Sequence, residues 1–220
     1  MRFTGKTALI TGASRGLGLA LAETLAAQGA RVVLVARDPE ALAAAVARVQ
    51  GQGGQALGIT ADLGDEAELL RLVDQVHELG ELDLLINNAG TLGAVPLPLI
   101  LDLQAEELLL ALRVNALAPF LLMRAFVGGM VLRGEGAVLN ISSDAAREAY
   151  PTWGAYAASK AALERLAATL AAEIEDSGVR ILTVDPGEMD TRMHADAMPD
   201  ADPSTLSRPA DVAARLVALL

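Results

Sequence analysis

Lys6 to Thr11 is a short apolar run that ends in Gly12-Ala13-Ser14-Arg15-Gly16-Leu17-Gly18 and passes directly into an amphipathic stretch from Leu19 to about Gln28. Strand, glycine turn and helix in that order open a βαβ unit. Glycines at 12, 16 and 18 permit a tight turn, close backbone approach to a diphosphate and close helix–strand packing, while the free N–H groups of the helix start attract an anion. The spacing is Gly-x-x-x-Gly-x-Gly, not the Gly-x-Gly-x-x-Gly of the dinucleotide fingerprint, and such turns also serve purely structural ends. The alternation then continues, with strands expected at Arg31–Ala36, Gln55–Thr60, Leu82–Ile86, Ala137–Ile141 and Arg180–Val184. Helices are expected at Pro39–Gln50, Asp65–Leu79, around Asn115, from the Tyr156 region to about Asp176, and from Pro209. Regular alternation implies right-handed crossovers and a parallel sheet, an α/β architecture in three layers. Ligand then lies at the carboxyl ends of the strands, where Gly12, Asp62, Asn88, Ser143 and Pro186 fall.

Length and charge narrow the class. A chain of 220 residues with 53% apolar content fits one domain, residues 1–220, with a core large enough for three layers. Its net charge of −11 opposes nucleic acid and anionic membrane surfaces as partners, so any phosphate site is local. There is no cysteine, hence no disulfide or thiol chemistry. The start, Met1 to Lys6, lacks the apolar stretch of a signal peptide, so a cytoplasmic location is expected. Leu108 to Leu132 is strongly apolar, but Arg113, Asn115, Pro119 and Arg124 interrupt it, which suits a buried helix better than a membrane span.

Tyr156 and Lys160 are four residues apart in Tyr-Ala-Ala-Ser-Lys, inside an alanine-rich helical stretch, so both side chains leave one helix face. Only two of the 17 basic residues are lysines, Lys6 and Lys160. An ammonium, unlike a guanidinium fork, is a compact charge that sits beside a phenol, stabilises its phenolate and still bonds a ribose. A tyrosine so placed is expected to exchange a proton near neutral pH. Taken alone, a Tyr and Lys at this spacing also arise by chance.

Thr11 to Gly18, Asn87-Asn88-Ala89-Gly90, Asn115, Ser143, Tyr156-x-x-x-Lys160 and Pro186-Gly187 together resemble the short-chain dehydrogenase/reductase family in order and approximate spacing, from the first strand to about Thr191. The resemblance implies a Rossmann-type oxidoreductase with a doubly wound parallel sheet in the order 3-2-1-4-5-6 and a nicotinamide cofactor. It implies catalytic roles for Ser143, Tyr156, Lys160 and Asn115. The tyrosine protonates the developing alkoxide, the serine bonds the same oxygen, and the lysine stabilises phenolate and binds ribose. The asparagine holds helix geometry and a water that links Lys160 to solvent. Ser142 competes with Ser143, and the family's thirteen-residue spacing to Tyr156 favours Ser143. Cofactor contacts carried over are Gly12, Ser14, Arg15, Gly16, Leu17, Gly18, Arg37, Asp62, Leu63, Asn88, Tyr156, Lys160, Met189 and Thr191. Asp62 and Leu63 look like the adenine contacts, and Met189 and Thr191 like those of the carboxamide and diphosphate.

Strand two distinguishes the cofactors. Enzymes that use NAD place an acid at its end for the ribose hydroxyls, whereas NADP enzymes place arginine there. This chain has Ala36-Arg37, with Asp38 displaced to a helix-cap position, and Arg15 adds a second guanidinium. NADP(H) is therefore expected over NAD(H). Tyr150, Trp153 and Tyr156, three of only six aromatics, stand near Met189, Met193 and Met198 in prospect, which points to an apolar pocket for a ketone or aldehyde without naming one. His77 and His194 show no metal spacing, and both are expected on the surface. Two other readings stay open: a non-catalytic NADP(H)-binding protein, and an epimerase or dehydratase of the same fold. Relatives continue into one further strand, so the sheet is expected to lack the family's last strand, with Arg180–Val184 at its edge. A dimer through the Asn115 and Tyr156 helices is expected, with a tetramer weakened or lost.

Overall fold

The apolar runs between the glycine breaks form strands, and in the central ones Val, Leu and Ile are buried on both faces. In the computed structural model, which describes residues 1–220, they are β1 (Thr7–Thr11), β2 (Arg31–Ala36), β3 (Gln55–Thr60), β4 (Leu84–Asn87), β5 (Gly136–Ile141) and β6 (Val179–Val184). All pair in parallel, in the order β3-β2-β1-β4-β5-β6. The helices are α1 (Gly16–Ala27), α2 (Pro39–Gly51), α3 (Glu66–Glu78), α4 (Ala105–Leu112), α5 (Ala118–Arg133), α6 (Gly154–Glu173), α7 (Arg192–Ala197) and α8 (Pro209–Leu219).

The pleat separates two cores. Ala8, Ile10, Val32 and Leu34 face Leu21, Leu25, Leu42 and Leu216 of α1, α2 and α8. Leu9, Val33, Val35 and Leu85 face Leu69, Leu72, Leu122, Phe126 and Leu163 of α3, α5 and α6. Side chains of one strand thus serve both layers, which is the three-layer doubly wound arrangement the alternation predicts.

Three local departures stand out. β4 begins at Leu84 instead of Leu82, although the Asp83 backbone still donates to the Thr7 carbonyl and accepts from the Ala137 N–H, each at 3.0 Å, and its carboxylate accepts from the Thr7 N–H at 2.8 Å and Lys6 Nζ at 3.1 Å. The single long helix expected around Asn115 is two helices joined by a π-helical turn, Arg113–Leu117. Pro119 lacks the N–H that would bond the carbonyl four residues earlier, that of Asn115, so the regular ladder fails there. The loop after β6 contains α7, which the sequence pattern does not show because the helix is only six residues long.

The run Ala105–Arg133 is long and apolar enough to cross a membrane by length and composition alone, with a mean hydropathy of 1.6. Its inner face, including Leu122, Met123, Phe126 and Met130, packs in the second core, as a crossover helix requires. Strand β6 is an edge, paired only with β5. Arg180 on it donates to the carbonyls of Leu219 and Leu220, tying the end of α8 to that edge.

Candidate active site

One cleft of about 890 Å³ runs along the carboxyl ends of the strands. At its floor the chain leaves β1 through Gly12, whose φ is +67°. A Cβ there would come within 2.8 Å of Ala89 Cα, and one at Gly18 would strike the Gly12 carbonyl and Asn88 Nδ2. The turn is therefore packed from below and open above, a cradle in which backbone and helix N-terminus face a ligand. Asn88 supports it, donating through Nδ2 to the carbonyls of Thr11 at 2.9 Å and Gly12 at 3.2 Å.

Of the catalytic and cofactor residues expected from the sequence, all but Gly18 and Asn115 line this cleft. Gly18 lies beneath the turn and Asn115 behind Gly90. Arg15 and Arg37 are exposed, and neither makes an ion pair. Asp38 is the N-cap of α2, accepting from the N–H groups of Glu40 and Ala41, and it does not line the cleft. Asp62 accepts from the Gly64 N–H at 2.8 Å, and its own N–H donates to Glu68 Oε2 at 2.7 Å.

At the other end, Tyr156 and Lys160 leave one face of α6, both nearly fully buried, with Nζ 5.6 Å from the phenol ring centroid. Lys160 donates to the Ile141 carbonyl at 2.6 Å. Ser142 and Ser143 both line the cleft and separate by partner: Ser142, buried, donates to Glu164 at 2.7 Å, whereas Ser143 donates to Asp144 at 2.9 Å. Asn115 is fully buried; its Oδ1 accepts from the Thr91 N–H and its Nδ2 donates to the Thr91 carbonyl and to Ser159 Oγ, each at 2.8 Å.

The short chain dehydrogenase family signature matches residues 6–202. The chain belongs to the short-chain dehydrogenase/reductase family. It is 37% identical over 197 residues to a short chain dehydrogenase of Pseudocercospora fijiensis, covering 87% of this chain and 62% of that one. It is also 37% identical over 195 residues to the 1-deoxy-11-beta-hydroxypentalenate dehydrogenase of Streptomyces exfoliatus, covering 88% of this chain and 70% of that one. The chain thus spans between three fifths and three quarters of the length of these relatives. A metagenomic short-chain oxidoreductase solved in complex with NADP superposes with a TM-score of 0.86 at 34% identity, over all of this chain and 92% of that one.

The electrostatics of this dehydrogenase site correct one expectation. Burial pushes the Tyr156 phenol up to about 12, the Ser143 hydroxyl opposes that rise, and Asp185 and Asp144 add to it. Burial pushes the Lys160 ammonium down to about 8. Within the protein's own field the tyrosine is a proton donor at neutral pH instead of a group poised there. Its ring stands edge-on to Trp153, centroids 5.6 Å apart, and Trp153 to Tyr150 at 6.5 Å, so the three aromatics form one wall.

His77 is exposed as expected, its ring 5.0 Å from that of Phe126. His194 is not a surface residue: it lines the cleft on α7 with 13% of its side chain exposed, and its Nε2 lies 3.7 Å from Glu188. Thr91, Ser159, Glu68, Glu164 and Asp144 are the supporting residues that sequence reading missed. Each acts through a partner remote in sequence or around a loop corner, and no spacing rule marks such a pair.

Proposed function

We propose that this chain is an NADP(H)-dependent oxidoreductase that interconverts a ketone or aldehyde and its alcohol, with Tyr156 as the general acid and base. The observation that carries the reading is the meeting of Tyr156, Lys160 and Ser143 at one end of a cleft whose other end is the glycine cradle. A nicotinamide dinucleotide bound along the cleft would supply the hydride. Tyr156, held protonated by burial, gives its proton to the oxygen that becomes the alcohol. Ser143 lies on the wall where its hydroxyl can bond that oxygen. Lys160 sits where its charge stabilises the phenolate left behind. Asn115 acts from behind: a Cβ at Gly90 would be 3.5 Å from its Oδ1 and 3.8 Å from Lys160 Nζ, so both groups converge behind that glycine. Its backbone carbonyl, to which Pro119 has no N–H to offer, is the acceptor we assign to a water serving Lys160.

For the cofactor, Ala36 stands where an acid would favour NAD, and the exposed, unpaired Arg15 and Arg37 flank the cleft as partners for a 2′-phosphate. The NADP complex of the metagenomic relative supports this preference. The oligomer we propose is a dimer through α4, α5 and α6, where Leu109, Leu110, Leu117 and Leu166 are exposed on neighbouring helices. The deciding experiment is a panel of carbonyl compounds followed by NADPH absorbance, with NADH in parallel. Turnover with NADPH in preference to NADH is expected; no turnover on any carbonyl by protein that binds NADPH would overturn the reading. Light scattering at micromolar concentration tests the dimer, which a monomer would refute.

A further inference from the structure

The wall of the cleft beside Ser143 carries a charged group that carbonyl reduction as described does not use. Asp144 follows Ser143 at the start of a short 3-10 turn, Asp144–Ala146. Its Oδ1 accepts from Ser143 Oγ at 2.9 Å and from the Ala145 N–H at 2.8 Å, and its Oδ2 accepts from the Tyr150 hydroxyl at 2.9 Å. Burial pushes this carboxyl up, but the hydrogen bonds from Ser143, Tyr150 and Ala145, with the nearby Arg147, outweigh it and hold it below the usual range. The group is an anion at neutral pH, inside the same cleft as Tyr156. Leu92, Trp153 and Met193 pack about the tyrosine beside it.

Ser143 has one hydroxyl proton. If that proton turns to a substrate carbonyl, Asp144 Oδ1 loses a donor, and an ionised carboxylate losing a hydrogen bond is penalised more than a neutral acceptor. A substrate can restore the bond itself. Two oxygens on adjacent carbons stand about one hydrogen-bond length apart, as do Ser143 Oγ and Asp144 Oδ1. A carbonyl oxygen on Ser143 therefore places a hydroxyl on the neighbouring carbon opposite Asp144, closing a four-oxygen ring with sides of about 2.7–2.9 Å.

Building on the carbonyl reductase reading above, we propose that Asp144, braced by Tyr150, is a specificity-determining residue that selects carbonyl substrates bearing a hydroxyl on the adjacent carbon, which the enzyme reduces to vicinal diols. The carbonyl carbon gains the hydride of NADPH, the oxygen gains the Tyr156 proton, and the neighbouring hydroxyl donates to Asp144 without being consumed. The same carboxylate repels an anionic substituent at that position, so 2-keto acids are poor substrates.

The test pairs 1-hydroxy-2-butanone with 1-methoxy-2-butanone, which differ in the donor hydrogen and its methyl cap, and adds 2-butanone as the unsubstituted ketone. With NADPH and the full chain, kcat/KM for the hydroxyketone is expected to exceed that of the other two by about ten- to a hundredfold, the range of a charge-assisted hydrogen bond. In Asp144→Ala and in the isosteric Asp144→Asn the hydroxyketone's advantage is expected to shrink to within about threefold. A purely structural role would lower all three substrates together and leave their ratio unchanged. Turnover of all three by the wild type with a ratio near one, or a large ratio that both variants keep, overturns the subsite while leaving carbonyl reduction intact. If the wild type turns over none of them, binding of the hydroxyketone and its methyl ether to the NADPH-loaded protein is compared by calorimetry. A preference for the hydroxyketone lost in Asp144→Asn upholds the subsite and moves the failure to the reaction; equal binding overturns it.

Discussion

Asn115 Nδ2 donates to Ser159 Oγ at 2.8 Å, and Ser159 donates to the Tyr156 carbonyl at 2.7 Å. The π-turn between α4 and α5 is thereby locked to the helix that carries the phenol. Asn115→Ala removes the acceptor of the Thr91 N–H and the donor to two oxygens, all buried or nearly so. It is expected to destabilise by about 2–4 kcal/mol, read as a loss of roughly 5–15 °C in Tm, because buried polar groups left unpaired are penalised in full. A change below about 1 kcal/mol would show that the network does not hold the turn.

Tyr156→Phe removes a single oxygen from a ring packed against Trp153. NADPH binding is expected to persist, and carbonyl turnover to fall by a factor of at least about a hundred. Retention of more than about a tenth of the wild-type rate would remove Tyr156 from its role.

Lys160→Met is expected to abolish turnover and to raise stability at neutral pH. The folded pKa of Lys160, about 8, lies below its unfolded value of 10.5, so between those limits the unfolded chain binds more protons and stability rises with pH. Below pH 8 the buried ammonium exerts its full penalty, and after allowance for the lost bond to Ile141 its removal should gain about 1–2 kcal/mol at pH 7. Thermal melts of both proteins at pH 7 and pH 10 check this: the gain should shrink at the higher pH. A gain that grows with pH would contradict the burial argument.

Arg37→Asp places a carboxylate where Arg37 now stands exposed on the cleft rim. The ratio of NADPH to NADH affinity is expected to fall at least tenfold at low salt, and less at high salt, since part of the effect is screened charge. An unchanged ratio would make Arg37 a solvated surface residue.

The raised phenol also sets the direction of the pH response. With Tyr156 at about 12, the acid form prevails from pH 6 to 9, so reduction should be flat below pH 8 and fall only as Lys160, at about 8, loses the charge that stabilises the phenolate. Oxidation needs the rare phenolate, whose fraction grows tenfold per pH unit below about 12, together with the Lys160 ammonium, so its kcat/KM should climb with a slope near one up to pH 8 and level off above it. Initial rates in both directions over that range decide it, and a flat oxidation profile would exclude this titration.

The sequence by itself determined the strand–helix alternation, the place of the cleft and the Tyr156–Lys160 pair, while the order of the sheet was an expectation from the family resemblance. Periodicity and glycine punctuation are local properties, and four residues on a helix share a face whatever surrounds them. Strand ends such as Thr11, Thr60 and Ile141 follow from the same local pattern, so residues just beyond them could be assigned to the cleft before any packing was known. Only the tertiary structure decided the partners of the two serines, Glu164 on α6 for Ser142 and Asp144 at a loop corner for Ser143. It also decided that the Asn115 helix breaks into a π-turn held by Thr91, that His194 lies half-buried beside Glu188, and that burial pushes the phenol's pKa up. Hydrogen-bond direction and desolvation are sums over neighbours from distant parts of the chain, and those neighbours exist only once the layers have closed.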